Sequence, residues 1–143
     1  MSKREIDGII REMSPGGVII LDAPSGYGKT YSLLQIKKYN PEDVLILSYE
    51  ELVRDICRYL KNDNSSKKMI EEFSRIIKQF RIFAIEDIDF LAGKIYSLAD
   101  ICLLVNKIVE YQTTIVVITG IDVYDKMSYF VDRLNNLTYV KLS

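Results

Sequence analysis

The chain has 143 residues, of which 48% are hydrophobic and 27% charged, and this length and composition predict a single folded domain spanning residues 1–143. Its 19 basic and 20 acidic side chains leave a net charge near −1, so no overall charge attracts it to nucleic acid or to an anionic membrane. The sequence contains no histidine, which excludes imidazole bases and most catalytic zinc sites.

Short β-branched runs alternate with helical patterns along the chain. An amphipathic helix in MSKREIDGIIREM precedes the first strand. Strands are predicted at 17–21, 44–47, 81–85, 114–119 and 137–142, and helices at 30–39, 49–60, 67–79, 97–111 and 124–134. The strands are apolar on both faces, as in the middle of a parallel sheet. This order predicts an α/β fold whose ligand binds at the carboxyl ends of the strands.

The segment LDAPSGYGKT, residues 21–30, has the form of a phosphate-binding loop between the first strand and its helix. In such a loop, successive backbone N–H groups surround phosphate oxygens at a helix N-terminus. Ala23 replaces the first glycine of the pattern, at the exit from the strand, where a small side chain is tolerated. We predict that Lys29 reaches the β- and γ-phosphates and that Thr30 holds Mg²⁺. The predicted nucleotide-binding residues of the loop are Pro24, Ser25, Gly26, Tyr27, Gly28, Lys29 and Thr30.

An acidic pair, Glu86 and Asp87, ends the third predicted strand in RIFAIEDIDFLAGK, residues 81–94. A magnesium–nucleotide site needs one carboxylate to order the metal's water shell and a second acid to orient the attacking water. We therefore predict Glu86 as a metal residue and Asp87 as a catalytic residue.

The sequence shows no feature of a membrane or secreted protein. No apolar run reaches the roughly 18 residues of a membrane-spanning helix, and the first residues lack the apolar region of a signal peptide. Cys57 and Cys102 stand singly among apolar residues, as buried reduced thiols do. We predict a cytoplasmic protein.

The segment AIEDIDFLAGK resembles the Walker B region of the bacterial replication initiator DnaA and its relatives among the AAA+ ATPases. The resemblance covers roughly residues 15–143 and includes SYEELVRDICRYL, MIEEFSRIIKQFRIFAIEDI, APSGYGKTYSLLQI, IVVITGID and FVDRLNNLTYVKL. It implies a three-layer αβα P-loop NTPase with strand order 5-1-4-3-2, and ATP or ADP with Mg²⁺ as ligands. Glu86 stands where the family usually has an aspartate, and Asp87 stands at the water-activating position.

The resemblance also implies roles for residues outside these two motifs. Arg133 falls at the family's arginine finger, which touches the γ-phosphate held by a neighbouring subunit, although a surface arginine in an ordinary ion pair is the alternative. Thr119 fits the residue that senses the γ-phosphate, and Asp122 is a weaker candidate for that role. Val53 and Arg58 match positions that bind single-stranded DNA, but the acidic side chains nearby also fit a solvated helix face.

The family's helical lid and duplex-binding domain have no counterpart in these 143 residues. We therefore expect weak nucleotide binding and weak or partner-dependent ATPase activity. The first hypothesis is an ATP-binding DnaA-like protein acting in replication initiation or its regulation, through association with itself, a related ATPase or a helicase. The alternatives are a non-hydrolysing scaffold that regulates the initiator and a DnaC-type helicase-loader ATPase.

Overall fold

The computed structural model describes residues 3–24, 33, 37, 38, 40–60 and 66–142. Its elements in chain order are α1 Lys3–Glu12, β1 Val18–Asp22, β2 Val44–Ser48, α2 Tyr49–Leu60, α3 Ser66–Ile77, β3 Ile82–Glu86, a 3-10 helix Ile88–Leu91, α4 Ile95–Glu110, β4 Ile115–Gly120, α5 Val123–Val131 and β5 Leu137–Lys141. The helix predicted at 30–39 lies mostly outside this part of the chain. Across the residues described, no helix is long and apolar enough to cross a membrane.

The five strands form one parallel sheet with the order β2-β3-β4-β1-β5. This is the predicted order 5-1-4-3-2 read from the other side, so the α/β fold class and the topology are confirmed. Because all pairings are parallel, the carboxyl ends of the strands share one edge of the sheet, which we call the carboxyl edge. The opposite, amino edge lies about 13 Å away, the length of a five-residue strand.

Both faces of the sheet are covered by apolar side chains. Val18 and Ile20 of β1 pack with residues of α3, α4 and α5 on one face, whereas Ile19 and Leu21 pack with α1 on the other. Each of these four side chains is 0% exposed. Alternation along an extended strand sends successive side chains to opposite faces, so a strand covered on both sides must be apolar throughout. This requirement explains the continuous runs in the sequence.

Local signals fix the connections at the carboxyl edge. Ser48 ends β2 and caps α2, since its Oγ accepts a hydrogen bond from Glu51 N at 3.2 Å and its N–H donates to Glu51 Oε1 at 3.3 Å. This reciprocal pair is a capping box. At α5, Met127 has a non-helical backbone (φ −151°, ψ 49°), which bends the helix in its middle. The 3-10 helix after β3 was not predicted.

Candidate functional site

The exit of β1 is fixed against β4, at the start of the predicted phosphate loop. Leu21 lies opposite Thr119 and Asp22 opposite Gly120 in the pairing of β1 with β4. The N–H of Ala23 donates to the carbonyl oxygen of Gly120 at 3.1 Å, and its methyl group is buried. The absent first glycine is therefore replaced by a side chain that the core accommodates. Pro24 is exposed, and predicted residues Ser25, Gly26, Tyr27, Gly28, Lys29 and Thr30 lie outside the described residues.

The predicted catalytic and sensing residues meet at the carboxyl edge. The backbone N–H of Asp87 donates to Thr119 Oγ1 at 3.3 Å, and Thr119 is only 2% exposed. Asp87 itself is exposed and adopts a left-handed backbone (φ 61°, ψ 43°), a conformation that aspartate tolerates better than most residues. The strand therefore turns sharply after Glu86 and leaves the carboxylate of Asp87 accessible from solvent.

Glu86 is half-buried at the end of β3, opposite Ser48 of β2. Burial raises the pKa of its carboxyl group, and the negative charges of Asp87 and Glu51 raise this pKa further. Glu51 is brought near by the capping box of α2. This end of the sheet thus carries several carboxylates close together, which favours a cation beside them.

The carboxylates fit the magnesium ion that the family implies. Mg²⁺ prefers oxygen ligands and is usually held with a nucleotide through one or two carboxylates, the phosphates and water. Glu86, the predicted metal residue, supplies one such carboxylate at the end of β3. Among the residues that the structure describes, no group of three or more His, Cys, Asp or Glu side chains forms an all-protein metal site.

Asp22 is a site residue that the sequence reading missed. Its side chain is 2% exposed, and Oδ1 accepts from Asp122 N at 2.8 Å while Oδ2 accepts from Val123 N at 3.0 Å. Oδ2 also accepts a short hydrogen bond from the Tyr139 hydroxyl, which in turn accepts from Tyr124 N at 2.9 Å. Burial and the bond to Asp22 raise the pKa of Tyr139 above its ordinary value. Asp22 thus joins β1, the N-terminus of α5 and β5.

The connection from β4 to α5 is held from a second side by Asp89. Its Oδ1 accepts from Ile121 N at 3.1 Å, and its Oδ2 lies 3.6 Å from Lys126 Nζ. Gly120 is required here because an added Cβ would lie 2.7 Å from Val123 Cγ2 and 2.9 Å from Asp89 Oδ1. A larger residue would therefore fit only if these side chains shifted.

The side chains of the remaining predicted residues do not contact Glu86, Asp87 or Thr119 in the part of the chain that is described. Arg133 is exposed in the turn between α5 and β5, near the amino edge, because the strand that follows pairs Leu137 with Val18 at the start of β1. Asp122 is exposed and pairs with Lys141 at 3.5 Å. Val53 is half-buried on α2, whereas the side chain of Arg58 lies outside those described.

Sequence reasoning missed Asp22 because its partners are about a hundred residues away in the chain. The only local signal was a charged residue ending an otherwise apolar strand directly before the phosphate loop. Such a residue at a buried position must find hydrogen-bond donors, so the pattern VIILD could have marked it. Gly120 carried no comparable signal.

Comparisons with known proteins agree with this architecture. The sequence matches the bacterial DnaA ATPase domain over residues 15–140. Domain III of the Thermotoga maritima replication initiation protein DnaA superposes with a TM-score of 0.76 at 21% identity, covering 99% of this chain and 60% of that one. AMPPCP-bound DnaA from Aquifex aeolicus gives 0.68 at 18% identity, covering 99% and 44%.

A replication initiator DnaA bound to AMPPCP and single-stranded DNA gives a TM-score of 0.68 at 20% identity, covering 97% of this chain and 45% of that one. The chain therefore spans between 44% and 60% of the length of these three structures. At these identities the superpositions show a shared fold. The sequence match extends over most of the chain, and the protein belongs to the family of bacterial DnaA ATPase domains.

Proposed function

We propose that this chain binds ATP or ADP with Mg²⁺ at the carboxyl edge of the sheet and acts in DNA replication initiation or its regulation. The observation that carries the proposal is the contact between Asp87 N and Thr119 Oγ1, beside the exit of β1. It joins the residue proposed to orient water to the residue proposed to sense the γ-phosphate. Thr119 lies on β4, next to β1, and Asp87 follows β3, the second strand from β1, so both lie at the carboxyl edge near the start of the phosphate loop.

The roles proposed for Lys29 and Thr30 rest on the loop pattern and the family, and those proposed for Glu86, Asp87 and Thr119 are also supported by their environment. Lys29 and the backbone of the loop bind the phosphates, and Thr30 and Glu86 hold the metal ion. A bound Mg²⁺ would neutralise the negative charge that develops on the phosphates. Asp87, exposed beside Thr119, orients a water molecule. Thr119 is held in place by burial and by its bond to Asp87, in which Oγ1 is the acceptor, so its O–H group is left to donate to a phosphate oxygen.

Arg133 is the proposed arginine finger. It lies near the amino edge, whereas Glu86, Asp87 and Thr119 lie at the carboxyl edge, and this separation supports an action on the site of another chain. We propose that it contacts the γ-phosphate held by a second copy or by a related ATPase. The activity of such an assembly would depend on protein concentration.

Calorimetric titration with Mg-ATP tests the nucleotide site. Lys29→Ala is expected to abolish binding, because it removes the charge that contacts the phosphates. Lys38→Ala is the matched control, since Lys38 is an exposed lysine beyond the loop and should bind as wild type does. An absence of wild-type binding at millimolar Mg-ATP would sink the nucleotide proposal.

A scaffold that binds nucleotide without hydrolysing it is the second candidate. Glu86 favours it, because it stands where the family usually has an aspartate, and its extra methylene group displaces the carboxylate from the usual metal position. Phosphate release by wild type and Asp87→Asn, each at several protein concentrations, separates the two. Equal release from both proteins would favour the scaffold.

Binding of single-stranded DNA is a further proposal, based on Val53 and on the solved DnaA bound to such DNA. Val53 lies in a shallow surface pocket between α2 and the 3-10 helix, which is also lined by Tyr49, Glu50, Arg54 and Leu91. Anisotropy of a labelled oligonucleotide with wild type and Val53→Asp tests this. If Val53→Asp binds the oligonucleotide as tightly as wild type does, the DNA-binding site does not include Val53.

A further inference from the structure

The turn that carries Arg133 is held mainly by the side chain of Asn106 on α4. Asn106 on α4 donates from Nδ2 to the carbonyl oxygen of Arg133 at 2.9 Å, and its Oδ1 accepts from the N–H of Asn135 at 2.9 Å. One amide group thus uses its donor and its acceptor on the two residues that flank Leu134. If this amide were flipped, its NH2 group would face the N–H of Asn135 and its oxygen would face the carbonyl oxygen of Arg133, and neither contact is a hydrogen bond.

The rest of the turn is also fixed, except for the Arg133 side chain. Val131 and Leu134 are buried on either side of it, at 5% and 7% exposure. Cys102 Sγ lies 3.6 Å from the Arg133 carbonyl oxygen, which gives α4 a second, weaker contact with this turn. Within the part of the chain that is described, the Arg133 guanidinium forms no ion pair. The backbone is therefore held while the charged group projects into solvent.

We infer that Asn106 is a positioning residue, which holds Arg133 for a phosphate group bound by a second copy of this chain. The inference rests on the proposed function of Arg133 in trans. The two bonds of Asn106 fix the carbonyl and the next turn residue, so they set the direction in which the long Arg133 side chain leaves the surface. Loss of one bond would let the turn shift, and a shift near 1 Å can reduce catalysis by about two orders of magnitude.

Mixing two variants isolates the contribution in trans. The acceptor is Arg133→Ala, which keeps its nucleotide site, and the donor is Lys29→Ala, which lacks phosphate binding but keeps Arg133. Phosphate release by a fixed amount of acceptor is measured while the donor is added. Asn106→Ala is then introduced either into the donor or into the acceptor, and Asn135→Ala, which removes an exposed amide from the same turn, is the matched control in the donor.

The expected result is asymmetric. Asn106→Ala in the donor should lower the stimulation by about tenfold or more, whereas the same change in the acceptor and Asn135→Ala in the donor should leave it within about twofold. A loss of structure alone would lower the activity from either side. If Asn106→Ala does not fold by circular dichroism, Asn106→Asp replaces it, because it keeps an acceptor for Asn135 N and loses the donor to Arg133.

Two outcomes would overturn the inference in distinguishable ways. If the Lys29→Ala donor stimulates the acceptor and the Asn106 variants of the donor do so equally well, the positioning role is wrong and the function of Arg133 in trans stands. If the Lys29→Ala donor gives no stimulation at any concentration, the function of Arg133 in trans fails, and the inference fails with it.

Discussion

Replacing Asp22 by asparagine tests whether its buried carboxylate stabilises the carboxyl edge of the sheet. The carboxylate accepts from Asp122 N on one oxygen, and from Val123 N and the Tyr139 hydroxyl on the other. An asparagine has nearly the same shape, but one of its two oxygens becomes an NH2 group. Whichever way this amide is oriented, the NH2 group faces at least one N–H donor.

The magnitude follows from the bonds that are lost. A hydrogen bond to a charged group contributes about 1.5–3 kcal/mol, and a buried donor left without a partner costs about 1–3 kcal/mol. Asp22→Asn should therefore lower the free energy of unfolding by about 3 kcal/mol. Tyr139→Phe removes one bond and keeps the two backbone bonds, so its loss should be smaller, about 1–2 kcal/mol.

Urea unfolding followed by far-UV circular dichroism measures these losses, with unchanged m-values as the check on two-state behaviour. Asp122→Asn is the matched control in the same connection. Asp122 is 52% exposed in its side chain, and its pair with Lys141 is a surface pair worth at most about 1 kcal/mol. Asparagine also tolerates the left-handed backbone at that position, φ 51°. An Asp22→Asn protein as stable as Asp122→Asn would refute the role assigned to the carboxylate.

Three further changes probe the same edge of the sheet. Gly120→Ala should lower the free energy of unfolding, measured by thermal unfolding, by about 1–3 kcal/mol, because the added methyl group meets buried side chains. Gly8→Ala in α1 is the control: an added methyl group there has nothing within 4 Å and should stabilise the protein by about 0.5–1 kcal/mol. Thr119→Val should lower the free energy of unfolding by about 1–2 kcal/mol, because it leaves the N–H of Asp87 without an acceptor. Thr119→Ser keeps the hydroxyl and should retain most of the wild-type stability. Glu86→Gln should stabilise the nucleotide-free protein at pH 7, since a raised pKa means that the fold disfavours the ionised form. Ionisation of Glu86 lowers the stability of the wild type as the pH rises from the ordinary glutamate pKa, about 4.3, through the raised pKa of the folded protein. Near pH 3 Glu86 is protonated in both states, so the wild type and Glu86→Gln should there have the same free energy of unfolding. A stabilisation that persisted at pH 3 would contradict this cause.

Different parts of the fold were predictable for different reasons. The strands were visible because a sheet covered on both faces demands continuous apolar runs, and VIIL in β1 and IVVI in β4 are such runs. The strand order could not come from those runs, since they carry no information on which strands are neighbours. It came from the resemblance, and the observed pairing of β3 with β4 explains why Asp87 and Thr119, 32 residues apart, are in contact.

The contacts that fix the candidate site were not predictable from the sequence. Asp22 and Tyr139 are 117 residues apart, and no local pattern connects them. The left-handed backbone at Asp87 depends on the turn after β3, which the apolar run does not specify. Asn106 is a polar residue on a helix, and its partners in the turn lie 27 and 29 residues further along the chain, so no local pattern marks it. These residues are recognised only when the elements have been assembled.

Asp22 and Asn106 hold the two ends of the same segment. Asp22 binds the backbone at the start of α5, and Asn106 binds the turn just after its end. The bend at Met127 lies between them, so a shift at one end need not be carried through a straight helix to the other.

We therefore expect the two changes to act independently on stability. The double variant Asp22→Asn/Asn106→Ala should lose the sum of the two single losses within about 0.5 kcal/mol, as distant sites without shared partners do. Urea unfolding of the four proteins measures the difference. A coupling above about 1 kcal/mol would show that the bend transmits the perturbation. The carboxyl edge and the turn of Arg133 would then be energetically coupled, and the positioning experiment on Asn106 would have to be repeated with Asp22→Asn in the donor.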